Sequence, residues 1–452
     1  MRKQYALLTG ALFLTLAAGQ ASAKVSAEEA AQLGKTLTPV GAEKAGNKDG
    51  TIPAWEPEPQ HGALSGEFPH NDKIDGEKPL FTITKANMAK YADKLTEGHK
   101  KLLSMYDDYK MNVYPTHRLV DWPAKIKEMT IKNATTCSIQ GTDVLDNCTG
   151  GFPFPIPKTG AEPIWNHKLK WRGEAVTRYN NQMIVQLNGD YQLTKIIEDV
   201  KFPYASIKDP GTLKAGGNGE FLEYLSHVVA PPRLAGTYIL VHDKTGTGAD
   251  GRAAWLYSPG LKRIRRAPTV CCDNPYEGTD GHQFYDQVDM FNGVLERYTW
   301  KIVGKKEMYI PYDSNKIAGN TVKYKDLVRP RHLNQDLPRY ELHRVWVVEA
   351  TLRPGMSHTF KTRRFYIDED SWTIAAVDDY DNRDQLFQFQ EGHIINAPNL
   401  QAATTVPEVI YHFDSGRYFI TAAWNEDKPI DATVHFNDSY FTAPSVQKMT
   451  TR

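Results

Sequence analysis

The feature that most constrains the fold is a long succession of strand-like segments in the second half of the chain. These segments are rich in Val, Ile, Tyr, Phe and Trp, as is typical of β-strands. The connections between them, such as Arg353-Pro354-Gly355, are short and polar. Most of them leave no room for a helix between successive strands, so the pattern favours an antiparallel meander. The predicted strands are residues 237–242, 252–257, 261–266, 294–310 with a break near Gly304, 341–352, 359–367, 373–380, 385–390, 409–413 and 418–424.

Other local signals add a hairpin, helices and a loop. Residues 183–187 and 191–200 are predicted strands around Asn188-Gly189-Asp190, because an Asn-Gly pair suits a tight hairpin turn. Helical spacing of apolar residues predicts a helix over 84–109, with Thr84 as its N-cap. Shorter helices are expected at 220–229 and 27–33. Together these elements predict a β-rich α+β fold with one large curved antiparallel sheet covered by helices.

The N-terminus carries the signals of an exported protein. Arg2 and Lys3 precede an uncharged apolar stretch, and Ala21-Ser22-Ala23 has the small-x-small pattern of a signal-peptidase site. Residues 1–23 are therefore predicted to be a signal peptide that directs the chain to the periplasm. Residues 24–80 are expected to form an extended arm anchored by Trp55. Residues 81–452 are expected to be a single domain.

Composition and cysteine content restrict the partners. The chain has 54 basic and 54 acidic side chains, so nothing indicates the concentrated basic face that nucleic acid requires. Its four cysteines suit an oxidising compartment. A disulfide between Cys137 and Cys148 is favoured because they bracket a short polar segment. The adjacent Cys271 and Cys272 remain open, either as a vicinal disulfide or as partners of the other pair. No set of ligands at metal-binding spacing is present, so we expect no metal and no cofactor.

Catalytic motifs are missing from the sequence. Neither HExxH nor GxSxG occurs, and no glycine-rich phosphate loop is found. The simplest expectation is that the protein is not an enzyme. A secreted hydrolase of lipids or polyesters remains an alternative, since distant residues can assemble a triad. A third hypothesis is a scaffold that senses a lipid or a partner protein without transporting anything.

Two segments offer candidate binding residues. The strand at 341–352 is partly apolar on both faces, which indicates cover on both sides by core, helix or ligand. A solid sandwich core without any cavity explains the same pattern. The basic hairpin at 255–266 includes Arg263 and Arg265. It is either a solvated edge strand protected by charge or a docking patch for an anionic headgroup or an acidic partner.

Several stretches resemble one known family. They are residues 37–47 and 49–55 (Asp-Gly-Thr-Ile-Pro-Ala-Trp), the basic hairpin, and residues 300–312, 344–352 and 366–372. On these motifs the chain resembles the bacterial exported family called domain of unknown function 1329. That family is similar in turn to carriers of the LolA and LolB type, which sort lipoproteins to the outer membrane. The resemblance implies a half-open barrel that holds acyl chains under helices. It also implies a resistance-nodulation-division pump and an outer-membrane protein as partners.

The leading hypothesis is therefore a periplasmic carrier of a hydrophobic or acylated molecule between an inner-membrane pump and the outer membrane. Burial of one CH₂ contributes about 0.8 kcal/mol, so an empty apolar groove suffices for such a function. The resemblance supplies no functional residues, and the candidates rest on the strand pattern alone. Candidate lining residues are Tyr238, Leu240, Trp346, Val348, Phe365 and Ile367. Arg263 and Arg265 are the candidate headgroup or partner contacts.

Overall fold

The computed structural model describes residues 25–57, 67–397 and 400–450, and the predicted signal peptide lies outside these ranges. The α-helices are α1 (Ala27–Ala30), α2 (Asp72–Asp75), α3 (Glu97–Met105), α4 (Ala124–Thr136), α5 (Ala161–Lys168), α6 (Asn315–Ala318), α7 (Tyr324–Leu327) and α8 (Ala443–Met449). Short 3-10 helices span Met88–Lys94, Pro203–Ala205, Gly248–Asp250 and Tyr285–Met290.

Twenty strands are formed by the described residues. They are β1 (Phe81–Ile83), β2 (Met111–Val113), β3 (Ser138–Gln140), β4 (Val144–Asp146), β5 (Cys148–Thr149), β6 (Ala175–Tyr179), β7 (Asn181–Val185), β8 (Tyr191–Lys201), β9 (Thr212–Leu213), β10 (Glu220–Ala230), β11 (Tyr238–Lys244), β12 (Arg252–Ser258), β13 (Arg263–Arg266), β14 (Tyr298–Pro311), β15 (Tyr340–Leu352), β16 (Thr362–Asp368), β17 (Ile374–Tyr380), β18 (Leu386–Ala397), β19 (Ala402–His412) and β20 (Tyr418–Ala423).

Sixteen of these strands form one large curved sheet that does not close. Its order is β1-β2-β15-β16-β17-β18-β19-β20-β7-β8-β10-β11-β12-β13, with β14 beside β15 and β6 beside β8. All ladders are antiparallel except the single parallel pairing of Tyr340 with Val113. The predicted meander is confirmed, because β14 to β20 lie side by side in chain order. The half-open barrel that the resemblance implies is also confirmed.

Two local predictions in the strand region are confirmed. β7 and β8 pair as a hairpin around Asn188-Gly189-Asp190, and the Gly189 N–H donates to the Gln186 carbonyl. In β14 the register with β15 shifts between Ile302 and Gly304, where the break was expected. Gly304 has a φ of 153°, which a residue with a side chain rarely adopts.

The helix predicted at 220–229 is wrong, because this segment is the strand β10. Its apolar residues fall at both helical and strand spacings, so sequence alone does not decide between them. In the fold β10 lies between β8 and β11 and exchanges ladder hydrogen bonds with both. Two neighbouring strands satisfy its backbone more fully than an isolated helix would, and tertiary pairing therefore overrides local propensity.

The helix predicted over 84–109 is divided into two shorter helices. The 3-10 helix Met88–Lys94 comes first, and α3 begins after Thr96, whose side chain accepts a hydrogen bond from the His99 N–H. Thr96 is the N-cap, and the prediction of Thr84 as N-cap is wrong. The Thr84 N–H instead donates to the Asn87 side chain. Leu95 between the helices is extended, with a ψ of 142°.

The largest hydrophobic cluster includes Ile239 and Val241 of β11, whose face of the sheet is called here the inner face, and in β15 to β17 the same cluster contains residues of both faces. It joins β7, β8, β10, β11 and β14 to β20 with the helices α3, α4 and α5. On the opposite, outer face α8 packs over β11 to β13, where Leu225, Leu240, Tyr257, Phe441 and Val446 form a separate small cluster. Adjacent residues of one strand consequently belong to different cores.

The predicted N-terminal arm contains α1 and a series of turns, and it lies against the turn after β16. The Trp372 indole donates to the Val40 carbonyl at 2.8 Å, and the buried Arg118 side chain donates to the Glu43 and Pro53 carbonyls. The Trp55 indole donates to the Val120 carbonyl at 3.0 Å. Trp55 therefore makes the kind of contact that the predicted anchor requires.

The predicted disulfide between Cys137 and Cys148 is confirmed. It joins the end of α4 to β5, and in the chain-entropy model a loop of this length contributes about 3 kcal/mol. Cys271 and Cys272 are free thiols, so neither of them pairs with Cys137 or Cys148.

Candidate functional site

A covered cleft lies between the inner face of β8, β10 and β11 and a segment at 270–292, called here the cover. The cleft has a volume of about 50 Å³. Its walls are mainly aliphatic and aromatic, because the inward-facing residues of each strand alternate with outward-facing ones. The apolar lining consists of Val200, Phe202, Phe221, Leu222, Tyr224, Ile239, Val241, Val270, Tyr276, Tyr285, Val288 and Phe291.

This central cleft shares lining residues with further cavities on both sides. Towards β12 it shares Arg252 and Val270 with a cavity of about 270 Å³ that Cys271 and Cys272 also line. Towards β18 it shares Arg172, Arg178 and Phe202 with a cavity of only about 10 Å³. The latter is followed by a cavity of about 470 Å³, with which it shares Ala397, Leu400, Thr404 and Ile430. The four cavities therefore follow one another along the protein, and the narrowest points adjoin Phe202.

The central cleft also contains buried charges. Lys168, Arg172, Arg178, Arg252 and Asp289 line it together with the apolar residues. Arg178 Nε lies 2.5 Å from a carboxylate oxygen of Glu198, and Arg252 binds both oxygens of Asp243. Asp289 accepts from two cations, Lys170 at 2.9 Å and the adjacent Arg172. Charge-assisted contacts of this kind are strong where water is excluded.

Burial shifts the ionisation of several of these groups. It lowers the pKa of Lys168 to about 8 and the pKa of Lys170 to about 7. Burial also lowers the pKa of His167 to about 3, and Lys170 acts in the same direction. At neutral pH His167 is therefore uncharged: its Nδ1 accepts from the Ile374 N–H, and its Nε2 donates to the Asp289 carbonyl at 2.7 Å. Burial, followed by repulsion from Asp289, raises the pKa of Glu408 to about 7.

A pair of thiols lies at the edge of the cover. Cys271 and Cys272 have their sulfur atoms 2.8 Å apart and line the cavity of about 270 Å³ with Arg252 and Arg297. The hydrogen bond from Cys272 lowers the pKa of Cys271 to about 6, with a further contribution from the two arginines. The pKa of Cys272 is correspondingly raised.

A hydroxyl–histidine–carboxylate chain joins α3 to β18. Thr96 Oγ1 lies 2.9 Å from His99 Nδ1, and His99 Nε2 lies 2.8 Å from Glu391. All three side chains are buried, and none lines a cavity described above. Thr96 also caps α3, so this arrangement supports the fold and gives a substrate no access.

Two groups of side chains have metal-ligand character. Glu220, Glu223 and His242 bring their ligand atoms within 4.8 Å of one another, as do the buried His343, Asp368 and Asp370. In the buried group Arg118 already contributes a positive charge, since it donates to both oxygens of Asp370 at 2.8 Å.

The predicted lining residues fall in two places. Tyr238 and Leu240 point to the outer face beneath α8, and their neighbours Ile239 and Val241 line the cleft. The other four are paired across β15 and β16, Trp346 with Ile367 and Val348 with Phe365. Trp346 stacks on Trp372, while Val348, Phe365 and Ile367 are fully buried. None of the six lines the four cavities, and their role as ligand contacts stays a prediction.

Arg263 and Arg265 lie exposed on β13, the edge strand of the sheet. A side-chain contact from α8 reaches the backbone between them, because the Ile264 N–H donates to Gln447. Their predicted role as headgroup or partner contacts is not decided by this position. The cations of the cleft were not predicted, although a signal for them exists in the alternation Lys168-Leu169-Lys170-Trp171-Arg172.

The fold and the site together define a class of protein. Its members have an open curved antiparallel sheet with a covered and partly apolar groove on the inner face. A family model described as protein of unknown function, DUF1329, matches residues 82–447. The chain belongs to this family. It is also 44% identical over 426 residues to an uncharacterized protein of Pseudomonas aeruginosa, a match that covers 93% of each chain.

Three solved structures are similar in fold. A DUF1329 family protein from Desulfovibrio piger has a TM-score of 0.41 and 13% identity, and the match covers 61% of this chain and 92% of that one. A domain described as outer membrane lipoprotein-sorting, from Vibrio parahaemolyticus, has a TM-score of 0.43 and 14% identity, over 64% and 98% of the chains. A LolA superfamily protein from Nitrosomonas europaea has a TM-score of 0.37 and 11% identity, over 63% and 97%. At such identities the likeness extends to the fold alone.

Proposed function

We propose that this protein is a periplasmic carrier that binds a hydrophobic or acylated molecule along the inner face of its sheet. The observation that carries the proposal is the row of four cavities, of which the central cleft lies under the cover and has mainly apolar walls. Each CH₂ that enters such a groove gains about 0.8 kcal/mol from leaving water, so an acyl chain binds without any catalytic group.

The cavity volumes restrict how an acyl chain would enter. Ligand pockets usually measure about 300–1,000 Å³, a range that contains the cavity of about 470 Å³ and that the cavity of about 270 Å³ approaches. The central cleft is much smaller and narrows beside Phe202, which packs against Arg172 at 4.8 Å. A long acyl chain would therefore displace Phe202 or lift the cover, while a short chain would fit at either end.

The proposed route of transport runs between the two bacterial membranes. Export is supported by the predicted signal peptide at 1–23. Among the helices of the described residues, none has the length and hydropathy needed to cross a membrane. A pump of the resistance-nodulation-division type and an outer-membrane protein are the proposed partners, on the strength of the family resemblance.

Lipid capture tests the proposal directly. Delipidated protein would be incubated with a periplasmic lipid extract and then analysed by native mass spectrometry, which we expect to show specific bound lipids. Val241→Trp fills the cleft wall and should reduce this retention at least tenfold. Val229→Trp is the matched control, because Val229 is exposed on β10 and lines none of the cavities.

Transfer between membranes tests the carrier role separately. The wild-type protein is expected to accelerate the movement of a fluorescent acyl lipid between donor and acceptor vesicles, and Val241→Trp is expected to slow it. A wild-type spectrum that stays free of lipid after exposure would contradict the proposal. Retention without any transfer would favour a lipid-sensing scaffold instead.

A further inference from the structure

Lys168 is a buried ammonium without a carboxylate partner. Lys168 is the last residue of α5 and is only 8% exposed. Its Nζ donates to the Gly293 carbonyl at 2.6 Å and lies 4.7 Å from the Trp165 ring and 5.7 Å from the Phe221 ring. Within the part of the chain that the structure describes, no carboxylate oxygen lies within 4.0 Å of this nitrogen. Aromatic faces and one carbonyl stabilise a cation only partly, so the site favours an added anion.

The cations around Lys168 outnumber the carboxylates that contact them. The four cations that line the cleft and the neighbouring Lys170 have three close carboxylates, which are Asp243, Asp289 and Glu198. Asp289 alone serves two of the cations. Asp143 and Glu408 also act electrostatically on this group, but burial raises the pKa of both. Asp143 already accepts hydrogen bonds from the Leu295 N–H and the Thr142 hydroxyl.

A second donor at the cleft has no acceptor. Arg172 is nine-tenths buried, and its guanidinium binds Asp289 and the Lys168 carbonyl through its terminal nitrogens. Its Nε has no hydrogen-bond partner. A buried donor without an acceptor is unfavourable by about 1–3 kcal/mol. Because Arg172 and Lys168 line the same cleft, an oxyanion there offers acceptors to both.

We propose that the central cleft binds the oxyanion headgroup of a single-chain amphiphile, a carboxylate or a phosphate, at Lys168 and Arg172. The alkyl chain lies against Phe221, Ile239 and Val241, and because the cleft measures only about 50 Å³ a long chain enters with displacement of Phe202 or lifting of the cover. Two of the three Nζ donors of Lys168 remain available beside the Gly293 contact, and Arg172 Nε adds a third. This inference rests on the proposed function and specifies its ligand as an anionic lipid.

Paired ligands with the same alkyl chain test the headgroup. The dissociation constants of palmitate, 16:0 lysophosphatidate and the neutral 1-monopalmitoylglycerol would be measured at pH 7 by displacement of a fluorescent fatty acid. Inorganic phosphate would be tested as the headgroup alone. For the wild-type protein we expect the two anionic lipids to bind at least tenfold more tightly than the neutral one. We expect inorganic phosphate to compete only at concentrations at least a hundredfold higher.

Lys168→Met removes the ammonium and keeps an unbranched side chain of similar length. This variant should bind the anionic and neutral lipids with affinities within about threefold of each other. It should fold, because it removes a buried cation that has no carboxylate partner. Lys214→Met is the matched control, since Lys214 is exposed and lies outside the cleft, and it should keep the preference.

The outcomes separate this inference from the proposed function. If the wild-type protein binds all three lipids equally, the headgroup site is refuted and the carrier stands. If Lys168→Met keeps the full preference for anions, the assignment to Lys168 is wrong. If inorganic phosphate binds as tightly as the lysophosphatidate, the site is one for a free anion rather than a lipid. Failure of every lipid to bind overturns the proposed function and the headgroup site together.

Discussion

Substitution of Arg363 by Met should destabilise the protein strongly, because Arg363 ties the cover to the sheet. Arg363 is fully buried on β16. Its Nε donates to Asp379 on β17 and its Nη1 donates to Asp286 in the cover, both at 2.8 Å. Asp379 also accepts from Gln390, and Asp286 also contacts His358 at 2.9 Å. The variant would leave two buried carboxylates without their shared cation.

The expected magnitude follows from the loss of one partner in a buried ion pair, about 3–5 kcal/mol in unfolding free energy. Unfolding entropy is about 2.1 cal/mol/K per residue, which gives about 0.9 kcal/mol/K for 452 residues. The same loss therefore lowers Tm by only about 3–5 °C. Guanidinium denaturation followed by tryptophan fluorescence is the more sensitive assay.

The pH dependence provides a second readout. Burial alone would raise the pKa of Asp286, but Arg363 and His358 hold it below its usual value. A carboxylate with a lowered folded pKa stabilises the protein above its unfolded pKa of about 3.8, and this contribution disappears as the pH falls through the folded pKa. The pKa of Asp379 is raised, because burial outweighs Arg363 there. In wild type the Asp286 contribution is therefore complete above about pH 4. In Arg363→Met burial acts on Asp286 without the arginine, so the stability difference between wild type and variant should keep growing above pH 4 and shrink as the pH falls.

Removing all three charges distinguishes electrostatics from packing. The variant Arg363→Met/Asp286→Asn/Asp379→Asn leaves no buried carboxylate in this cluster and should recover part of the lost stability. If the unfolding free energy of Arg363→Met lies within about 1 kcal/mol of the wild-type value, the reasoning is refuted. A triple variant that is no more stable than the single one would refute it too.

Three further predictions concern separate parts of the molecule. Gly98→Ala should destabilise the protein by about 1–3 kcal/mol in denaturant titration, because the new Cβ would lie 2.0 Å from the Phe389 ring. Gly76→Ala is the control and should be nearly neutral, because no atom lies within 4 Å of its new Cβ. Because the pKa of Lys168 is lowered to about 8 from 10.5, the stability of the wild type relative to Lys168→Met should rise between pH 8 and 10.5 and stay flat below pH 8. In reduced protein, iodoacetamide at pH 7 should label Cys271 well before Cys272, and peptide mass spectrometry that finds equal rates would contradict the lowered pKa of Cys271.

The meander could be predicted because each of its strands is encoded locally. Short connections separate β15 to β20, and the pairing of neighbours in sequence needs no long-range information. Only β14 and β15 within this meander are joined by a long connection, which contains α6 and α7. The helices α4 and α5 were not predicted. Every residue of α5 is buried, so it lacks the polar face that produces helical periodicity in a sequence. The strand β10 was mistaken for a helix for a related reason, since its apolar residues fit both periods.

The cleft wall shows why the site was harder to predict than the fold. In β11 the run Tyr238-Ile239-Leu240-Val241 is apolar at every position. A strand with two apolar faces gives no sign of which face meets the ligand and which meets a helix. The two residues of β11 predicted to line the cleft, Tyr238 and Leu240, are the ones that lie under α8. Only the position of α8, more than 200 residues later, assigns Ile239 and Val241 to the cleft.

The shape of the cover depends on charges that are distant in sequence. Asp289 and Met290 both adopt positive φ values, 55° and 64°, which residues with side chains rarely adopt. Such conformations persist only where the surroundings impose them. Here Lys170 and Arg172 bind the Asp289 carboxylate, and His167 donates to its carbonyl. The same basic run that ends α5 therefore lines the cleft and fixes its cover. Residues 285–290 alone do not explain this backbone conformation, because the side chains that impose it lie about 120 residues earlier in the sequence.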